Sequence, residues 1–327
     1  MSMMIKALGT FLALGTFLLA SAASLAQAQS WPAKPVHVIV NVAPAGTADV
    51  TARLLAPRLG EALGQAIVVE NRGGGDGYVG IDAVVRAEPD GYTLLYAPGS
   101  RIMIAPHIVK RADLDPVASL LPVAPTGRIS LFLMAHPSVP GKDLAGFVQY
   151  ARANPGKVNY GTPGNGTAPH IAAEIFSREA GIRMTHIPYK GAGPVMQDLL
   201  GGQVDIAFDS GTGLPQAKAG KLRLLAVAAS RRRSDFPDAP TFDEAGFRGV
   251  DGGPHFAFYV PLRTPPQIVE RLNREVAKLM QEAAVRERFE AQGLEVAPPM
   301  TPDAFAAYVR SESERYAKLI PEMGLAR

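Results

Sequence analysis

The sequence predicts an α/β fold of two similar units, and three features predict it. Residues 36–97 alternate strand and helix patterns in the order β-α-β-α-β, the signature of a parallel sheet with helices on its faces. A second strand–loop–helix series begins at Val158. Neither a low-complexity linker nor a short-period repeat lies between them. The chain is therefore expected to cross between two domains on ordered segments, outward near Val123–Ser130 and back near Gly249–Phe256.

In chain order, Lys6 precedes the apolar run Ala7–Ala20, and Ala26-Gln27-Ala28 has the small-residue form of a secretory cleavage site. The run falls short of the ~20 apolar residues of a membrane span. A signal peptide over residues 1–28, cut after Ala28, is expected, with Gln29 opening a mature chain outside the cytoplasm. Val36–Val42 is a near-continuous β-branched run, as in a strand covered on both faces. The tight loop Ala43–Gly46 follows, and Thr47 is placed to cap a helix over Thr47–Leu63, kinked at Pro57. Ala66–Glu70 reads as a strand, and the glycine-rich stretch after it as a loop into a helix over Ile81–Ala87. Tyr92–Ala97 reads as a strand after the Pro89-Asp90-Gly91 turn.

Leu120–Val123 and Ile129–Ala135 read as strands with a break at Pro125–Gly127. Asp143 can cap a helix over Leu144–Ala153, which Asn154-Pro155-Gly156 stops. Val158–Tyr160 is a short strand, Gly161–Gly166 a second tight loop, and Thr167 the cap of a helix over Ala168–Ala180. Strands over Met184–Ile187, Val204–Phe208 and Leu222–Ala228 and a helix over Pro194–Leu200 complete the second unit. After the return crossing come a strand (Phe256–Val260), a helix over Pro266–Ala291 with a 3.6-residue apolar period, and a last helix, Pro302–Ile320, capped by Thr301. The expected division is residues 29–128 plus 255–327 for the first domain and 129–254 for the second.

Composition narrows the function. Hydrophobic content of 47% and charged content of 19% describe a globular chain. A net charge of +3 is too small to imply nucleic acid, and Arg231–Arg233, followed by Ser234 and Asp235, reads as a solvated loop. There is no cysteine, which excludes disulfides, thiolate chemistry and a cysteine-linked lipid anchor. The six histidines form no H-x-x-x-H pair, so no metal is expected. No G-x-S-x-G elbow is present. Gly75-x-Gly77-x-x-Gly80 has the spacing of a dinucleotide fingerprint, but the strand before it ends at Glu70, too early for that use. Loop glycines at positive φ explain it better, and no cofactor is expected.

The two strand–loop–helix units share one design. A helix start offers free N–H donors and the positive end of the helix dipole, both favourable to an anion. In open α/β sheets a ligand sits at the carboxyl ends of the strands, so one loop from each half would face a common cleft. Both loops offer N–H groups and hydroxyls and no basic side chain, which suits a carboxylate held by neutral donors. Ordinary βα turns with helix caps give the same pattern and, on the pattern alone, are the favoured reading. His170, three residues after Thr167, could face the second loop or pack in the first helical turn. Asp205 and Asp209 flank a strand; capping is the simpler role for each, with Asp209 nearer the cleft.

The chain resembles the Bug-type periplasmic receptors of tripartite tricarboxylate transporters. The resemblance runs through Trp31-Pro-x-Lys-Pro35, Ala43-Pro-Ala-Gly-Thr-Ala-Asp49, Val69-Glu-Asn-Arg72, Pro89-Asp-Gly-Tyr-Thr-Leu94, His136-Pro-Ser138 and Asn154-Pro-Gly-Lys157. It continues in Gly164-Asn-Gly-Thr167 with His170, His186-Ile-Pro-Tyr-Lys-Gly191, Asp198-Leu-Leu-Gly-Gly-Gln203 and Ala219-Gly-Lys-Leu-Arg223. It implies a two-domain periplasmic binding protein of type II, with two hinge crossings and C-terminal helices packed on the first domain. It implies that Ala43, Pro44, Ala45, Gly46, Thr47 and Asp49 close with Thr162, Gly164, Asn165, Gly166 and Thr167 on one carboxylate of the solute. Gly99, Ser100, Tyr189 and Asp209 match positions that shape the distal part of the ligand, and Arg101 could reach a second acidic group. Ala45 replaces the first of a glycine pair, Asn41-Val42 replaces Pro-Phe, and His255 stands where many relatives carry tryptophan.

The expected function is a periplasmic receptor that captures a small organic carboxylate (a di- or tricarboxylate or an aromatic acid) and delivers it to membrane transporter subunits. The receptor is expected to be a monomer without a catalytic step. The alternatives are a secreted α/β enzyme on a similar acid, with His170 as base near Asp209, and a sensor that hands its closed form to a signalling partner.

Overall fold

The computed structural model describes residues 31–326 other than 43, 45, 110, 112, 190 and 252, with the backbone of Asp76 but not its side chain. The expected signal peptide, residues 1–28, and the loop residues Ala43 and Ala45 lie outside the described residues.

The β-branched run expected at the start forms β1 (Val36–Val40), and the chain continues through α1 (Thr47–Leu63), β2 (Ile67–Asn71), α2 (Tyr78–Val85) and β3 (Thr93–Ala97). Three short helices follow, α3 (Gly99–Met103), α4 (Ala105–Ile108) and α5 (Pro116–Ser119), before the long strand β4 (Leu120–Ile129). The second unit comprises β5 (Leu131–Ala135), α6 (Leu144–Ala153), β6 (Val158–Thr162), α7 (Ala168–Glu179), β7 (Met184–Pro188), α8 (Ala192–Leu200), β8 (Ile206–Asp209), α9 (Leu214–Lys218) and β9 (Arg223–Ala228). The chain returns with β10 (Phe256–Pro261), α10 (Pro266–Leu279), α11 (Ala283–Ala291), β11 (Leu294–Val296) and α12 (Pro302–Glu322).

Among the described residues these strands form two sheets, ordered β11-β4-β10-β3-β1-β2 and β7-β6-β8-β5-β9. β1 lies parallel between β2 and β3, and β10 returns antiparallel between β3 and β4. β6 lies parallel between β7 and β8, and β5 is antiparallel to β8 and β9. Each sheet with its helices is one lobe, and the two lobes are the two α/β units expected.

The outward crossing is shorter than the proline content suggested. The expected break at Pro125–Gly127 does not occur, because β4 runs on to Ile129 and only Ser130 separates it from β5. Pro122 and Pro125 are tolerated where the pairing with β10 shifts register, at Phe258/Tyr259 and Phe256/Ala257, since a bulge removes the ladder bond a proline cannot make. The single helix expected over Pro266–Ala291 is two, α10 and α11. The intervening Met280-Gln281-Glu282 contains neither glycine nor proline, and the apolar period runs through it. α1 continues through Pro57 to Leu63. Asp143 and Thr301 cap as expected, accepting from the N–H groups of Gly146 at 2.8 Å and Ala304 at 3.2 Å.

Both faces of the first sheet are buried. Val36, Val38 and Val40 pack with Leu55, Leu59, Phe258 and Leu272 on one face, and Ile39, Leu95 and Tyr259 pack with Ile81 and Phe305 on the other. In the second lobe Phe176 contacts Phe147, Phe208, Phe242 and Phe247, with ring centroids 5.1–6.4 Å apart. α12 belongs to both lobes. Phe305 and Val309 pack on the first, whereas Tyr316 and Ile320 join the core of the second. Where the lobes join, Arg128 at the end of β4 bonds Glu295 at 3.0 Å and lies 3.7 Å from Asp251 on the return crossing. Arg315 of α12 donates to the Gly249 carbonyl at 3.0 Å and pairs with Glu312 at 3.2 Å. Charges from both crossings and the last helix are thus tied together.

Phe176 is fully buried in the middle of that aromatic group. Phe176→Ala is expected to lower unfolding free energy by about 3–5 kcal/mol, read from a denaturant midpoint at unchanged slope. A loss below about 1 kcal/mol would contradict this packing.

Candidate ligand-binding site

The second loop is built from β6 upward. β6 ends at Thr162, and Gly164 (φ 140°) and Gly166 (φ 71°) then take conformations that L side chains avoid. The Thr162 hydroxyl lies 2.6 Å from His186 Nε2 and 3.3 Å from the Gly164 nitrogen. The Gly166 N–H donates to His170 Nδ1 at 3.0 Å. Thr167 stands at the helix N-cap position, but its hydroxyl does not accept from the helix as expected. It donates to the Gly164 carbonyl at 2.8 Å, because the loop folds that carbonyl back over it. Asn165 is exposed at the loop tip.

His170 is 2% exposed, so it packs inside the first helical turn. Its ring stacks on His186 at 3.9 Å and 14°, and burial holds its pKa down to about 4. Tyr189 donates its N–H to the Thr162 carbonyl at 2.9 Å and its hydroxyl to Asp198 at 2.6 Å. Burial pushes the Tyr189 phenol up to about 12. Asp209 caps the turn after β8, accepting from the N–H groups of Gly211 (2.7 Å) and Gly213 (2.8 Å) and from the Thr212 hydroxyl (2.6 Å). Asp205 accepts instead from the Asn159 N–H at 2.7 Å. Pro163, Met196, Asp209 and Ser210 line a recess of about 20 Å³ beside the loop.

On the first lobe, Gly46 and not Thr47 is the N-cap of α1. Gly46 has the extended backbone of a cap, and Thr47 is already helical, its carbonyl accepting from the Thr51 hydroxyl at 2.7 Å. Asp49, in the first turn, is buried and accepts from Arg53 at 2.8 Å. Arg53 also donates to Asn71 at 2.9 Å, so Asp49 fastens the helix start to the end of β2. Pro44 is exposed, and Gly46 and Thr47 are half-buried. Gly99 is required by close approach, since a Cβ there would lie 2.5 Å from the His255 carbonyl and 2.6 Å from Pro254. Ser100 follows it in α3, and the Arg101 methylenes lie against Gly77, beside the Asn41 amide. Gly74, Gly75 and Gly77 all have positive φ, the loop conformation expected of them.

Several residues that shape the site carry weak sequence signals. Tyr96 is fully buried; its hydroxyl lies 3.1 Å from Thr51 and 2.8 Å from Thr126, and Thr126 donates to the Phe256 carbonyl at 3.1 Å. That chain joins α1 to the return crossing. Burial pushes the Tyr96 phenol up to about 12. Ile104 and Ile108 belong to the first lobe by sequence but pack into the core of the second. A Cβ on Gly166 would lie 2.5 Å from Ile108, and one on Gly253 would lie 3.7 Å from Ala168. The segment after β3 and the return crossing therefore meet the second loop where α7 starts. Arg231, Arg232 and Arg233 are each paired, with Glu290, Glu244 and Asp235, as a solvated run is. Among the described residues no group of three or more His, Asp or Glu could hold a metal, and no helix is long and apolar enough to cross a membrane.

The three bonds to Asp209 are structural, so its substitution is read best without ligand. Asp209→Ala is expected to lower the stability of the ligand-free protein by about 1–3 kcal/mol, with Asp209→Asn retaining part of it. Unchanged thermal unfolding in both variants would show that the carboxylate does not hold the turn.

A family model described as "Tripartite tricarboxylate transporter family receptor" matches residues 51–325. Protein BugT of Bordetella pertussis is 34% identical over 328 residues, covering 99% of this chain and 98% of its own length. Two solved structures are similar over nearly all of their length. R. palustris Rpa4515 with adipate is 31% identical at a TM-score of 0.74, covering 90% of this chain and 99% of that one. MatC from Rhodopseudomonas palustris with bound malate is 30% identical at a TM-score of 0.71, covering 89% of this chain and 100% of that one. With its two lobes and this full-length similarity, the chain belongs to the tripartite tricarboxylate transporter receptor family, as a receptor of Bug type.

Proposed function

We propose that this receptor captures a small organic carboxylate between its lobes in the periplasm and presents the closed form to the membrane subunits of its transporter. The observation that carries the reading is the meeting of Ile108, in the short helices that follow β3, with Gly166, in the loop that follows β6, so that segments beyond the carboxyl ends of strands from both sheets come together. That is where a ligand binds in open α/β sheets. The relatives solved with adipate and malate supply the chemical class, since both are small dicarboxylates.

In this reading one carboxylate is gripped by the starts of α1 and α7. Pro44, Gly46, Thr47, Thr162, Gly164, Asn165, Gly166 and Thr167 are the described members, and Ala43 and Ala45 complete the first loop. Gly99, Ser100, Arg101, Tyr189 and Asp209 bound the distal part. Asp49 acts through the fixed position of α1. The moving bodies are residues 29–128 with 255–327 and residues 129–254, with the end of α12 following the second lobe. Closure is a hinge motion that ligand biases. The mature receptor is a monomer beginning at Gln29. A secreted enzyme using His170 as base is not favoured, because the Gly166 N–H occupies Nδ1.

A thermal-shift screen against mono-, di- and tricarboxylates and aromatic acids tests this. At a hundredfold excess over Kd, the true ligand adds about 2.7 kcal/mol of stability. No stabilisation by any acid would reject the reading. Affinity for that ligand is expected to fall only modestly between low and physiological salt, because donors in a closed cleft are poorly screened. A steep salt slope would instead assign the carboxylate to an exposed cation.

A further inference from the structure

We infer that His170 and His186 are positioning residues that hold the second ligand loop in its binding shape from beneath, as a stacked pair of neutral rings on Tyr160. The inference rests on the loop's role proposed above and adds how that loop is set.

Two of the bonds that hold the loop end on ring nitrogens. His170 Nδ1 accepts from the Gly166 N–H at 3.0 Å, so its proton is assigned to Nε2, on the side of Glu174 at 3.9 Å. His186 Nε2 lies 2.6 Å from the Thr162 hydroxyl, which in turn lies 3.3 Å from the Gly164 nitrogen. The rings are nearly parallel at 3.9 Å, and His186 stacks on Tyr160 at 4.8 Å and 20°. The Tyr160 hydroxyl bonds Glu174, which closes the group back onto α7. Tyr160 comes from β6, His186 from β7, and His170 and Glu174 from α7. One column of side chains therefore spans the strand that ends at the loop, its neighbour, and the helix that begins after it.

The column acts on the loop's donors. Gly166 has φ 71°, and its N–H direction is set by the bond to His170. With that N–H turned inward, the Asn165–Gly166 peptide plane is oriented, which guides the chain into the donors at the start of α7. A loop without this bond would have to order itself when ligand arrives, at a cost to affinity. The pair must also stay neutral. A protonated His170 cannot accept from Gly166, and charge on one ring is opposed by the other at 3.9 Å. Burial first, and His186 second, hold His170 down at about 4; burial lowers His186 as well. Because the folded pKa is depressed, this contribution is complete above the ordinary histidine value. It is lost as pH falls from there toward about 4.

The test uses the full mature chain and two readouts. The first is NMR-resolved amide exchange at Gly166 without ligand, corrected for the intrinsic pH dependence. The second is calorimetric affinity for adipate and for malate at neutral pH. His170→Leu, which keeps bulk but not the acceptor, is expected to speed Gly166 exchange and weaken binding about tenfold, the worth of one hydrogen bond. His170→Asn, which restores an acceptor, is expected to recover most of both and to remove the acid-induced acceleration of exchange that the native chain shows between pH 6.5 and about 4. Native exchange and affinity in His170→Leu would overturn the inference. Should the leucine variant fail to fold, an acid acceleration at Gly166 identical in the native chain and His170→Asn would overturn it equally. If neither acid binds the native chain, the exchange readout still decides the positioning role, and the failure belongs to the ligand reading.

Discussion

Gly166 has no side chain, and the first lobe occupies the space. Ile108, at the end of α4, sits where a Cβ of residue 166 would collide with it at 2.5 Å. This close approach is the constraint on which the proposed interlobe site rests. Glycine at 166 is favoured by its φ of 71° as well as by this contact, and the short helices after β3 reach into the core of the second lobe, where Ile104 is fully buried. The contact also places the second ligand loop against the first lobe. Only Ser130 separates β4 from β5, so the outward crossing is a single residue long. The return crossing and α12 add a second and a third tie, joined by the charges of Arg128, Asp251 and Arg315.

The site spends its own charged groups on shape. Asp49 is paired with Arg53, and Asp209 accepts from two N–H groups and a hydroxyl. Both carboxylates are thus engaged within the protein, one by a cation and one by neutral donors. The histidines beneath the second loop are kept neutral by burial. In the proposed grip an acid group meets uncharged donors at two helix starts, which bind anions without a large desolvated cation.

The outline of this arrangement was legible in the sequence. The apolar runs around Val38 and Val158, the glycine turns after them and the uninterrupted passage between units were sufficient for two α/β lobes and for both crossings. Cap chemistry was legible where a side chain had one clear use, as at Asp143 and Thr301. It failed at Thr47 and Thr167, because the choice between accepting from a helix and donating to a folded-back carbonyl depends on the loop's path. The break between α10 and α11 carries no glycine or proline, and the prolines of β4 sit at bulges that only the partner strand reveals. The placement of His170 was open between ligand and packing until His186, sixteen residues on, was seen stacked against it. Ile108 gave no local signal, since its role is defined by the other lobe.

The central claim is that one carboxylate is held by both helix starts at once. Amide chemical shifts during a titration with adipate or malate test it most directly. The account predicts that residues 46–49 and residues 164–167 move together, along one saturation curve with a single midpoint. Perturbation confined to one of the two loops, or two separate midpoints, would contradict it.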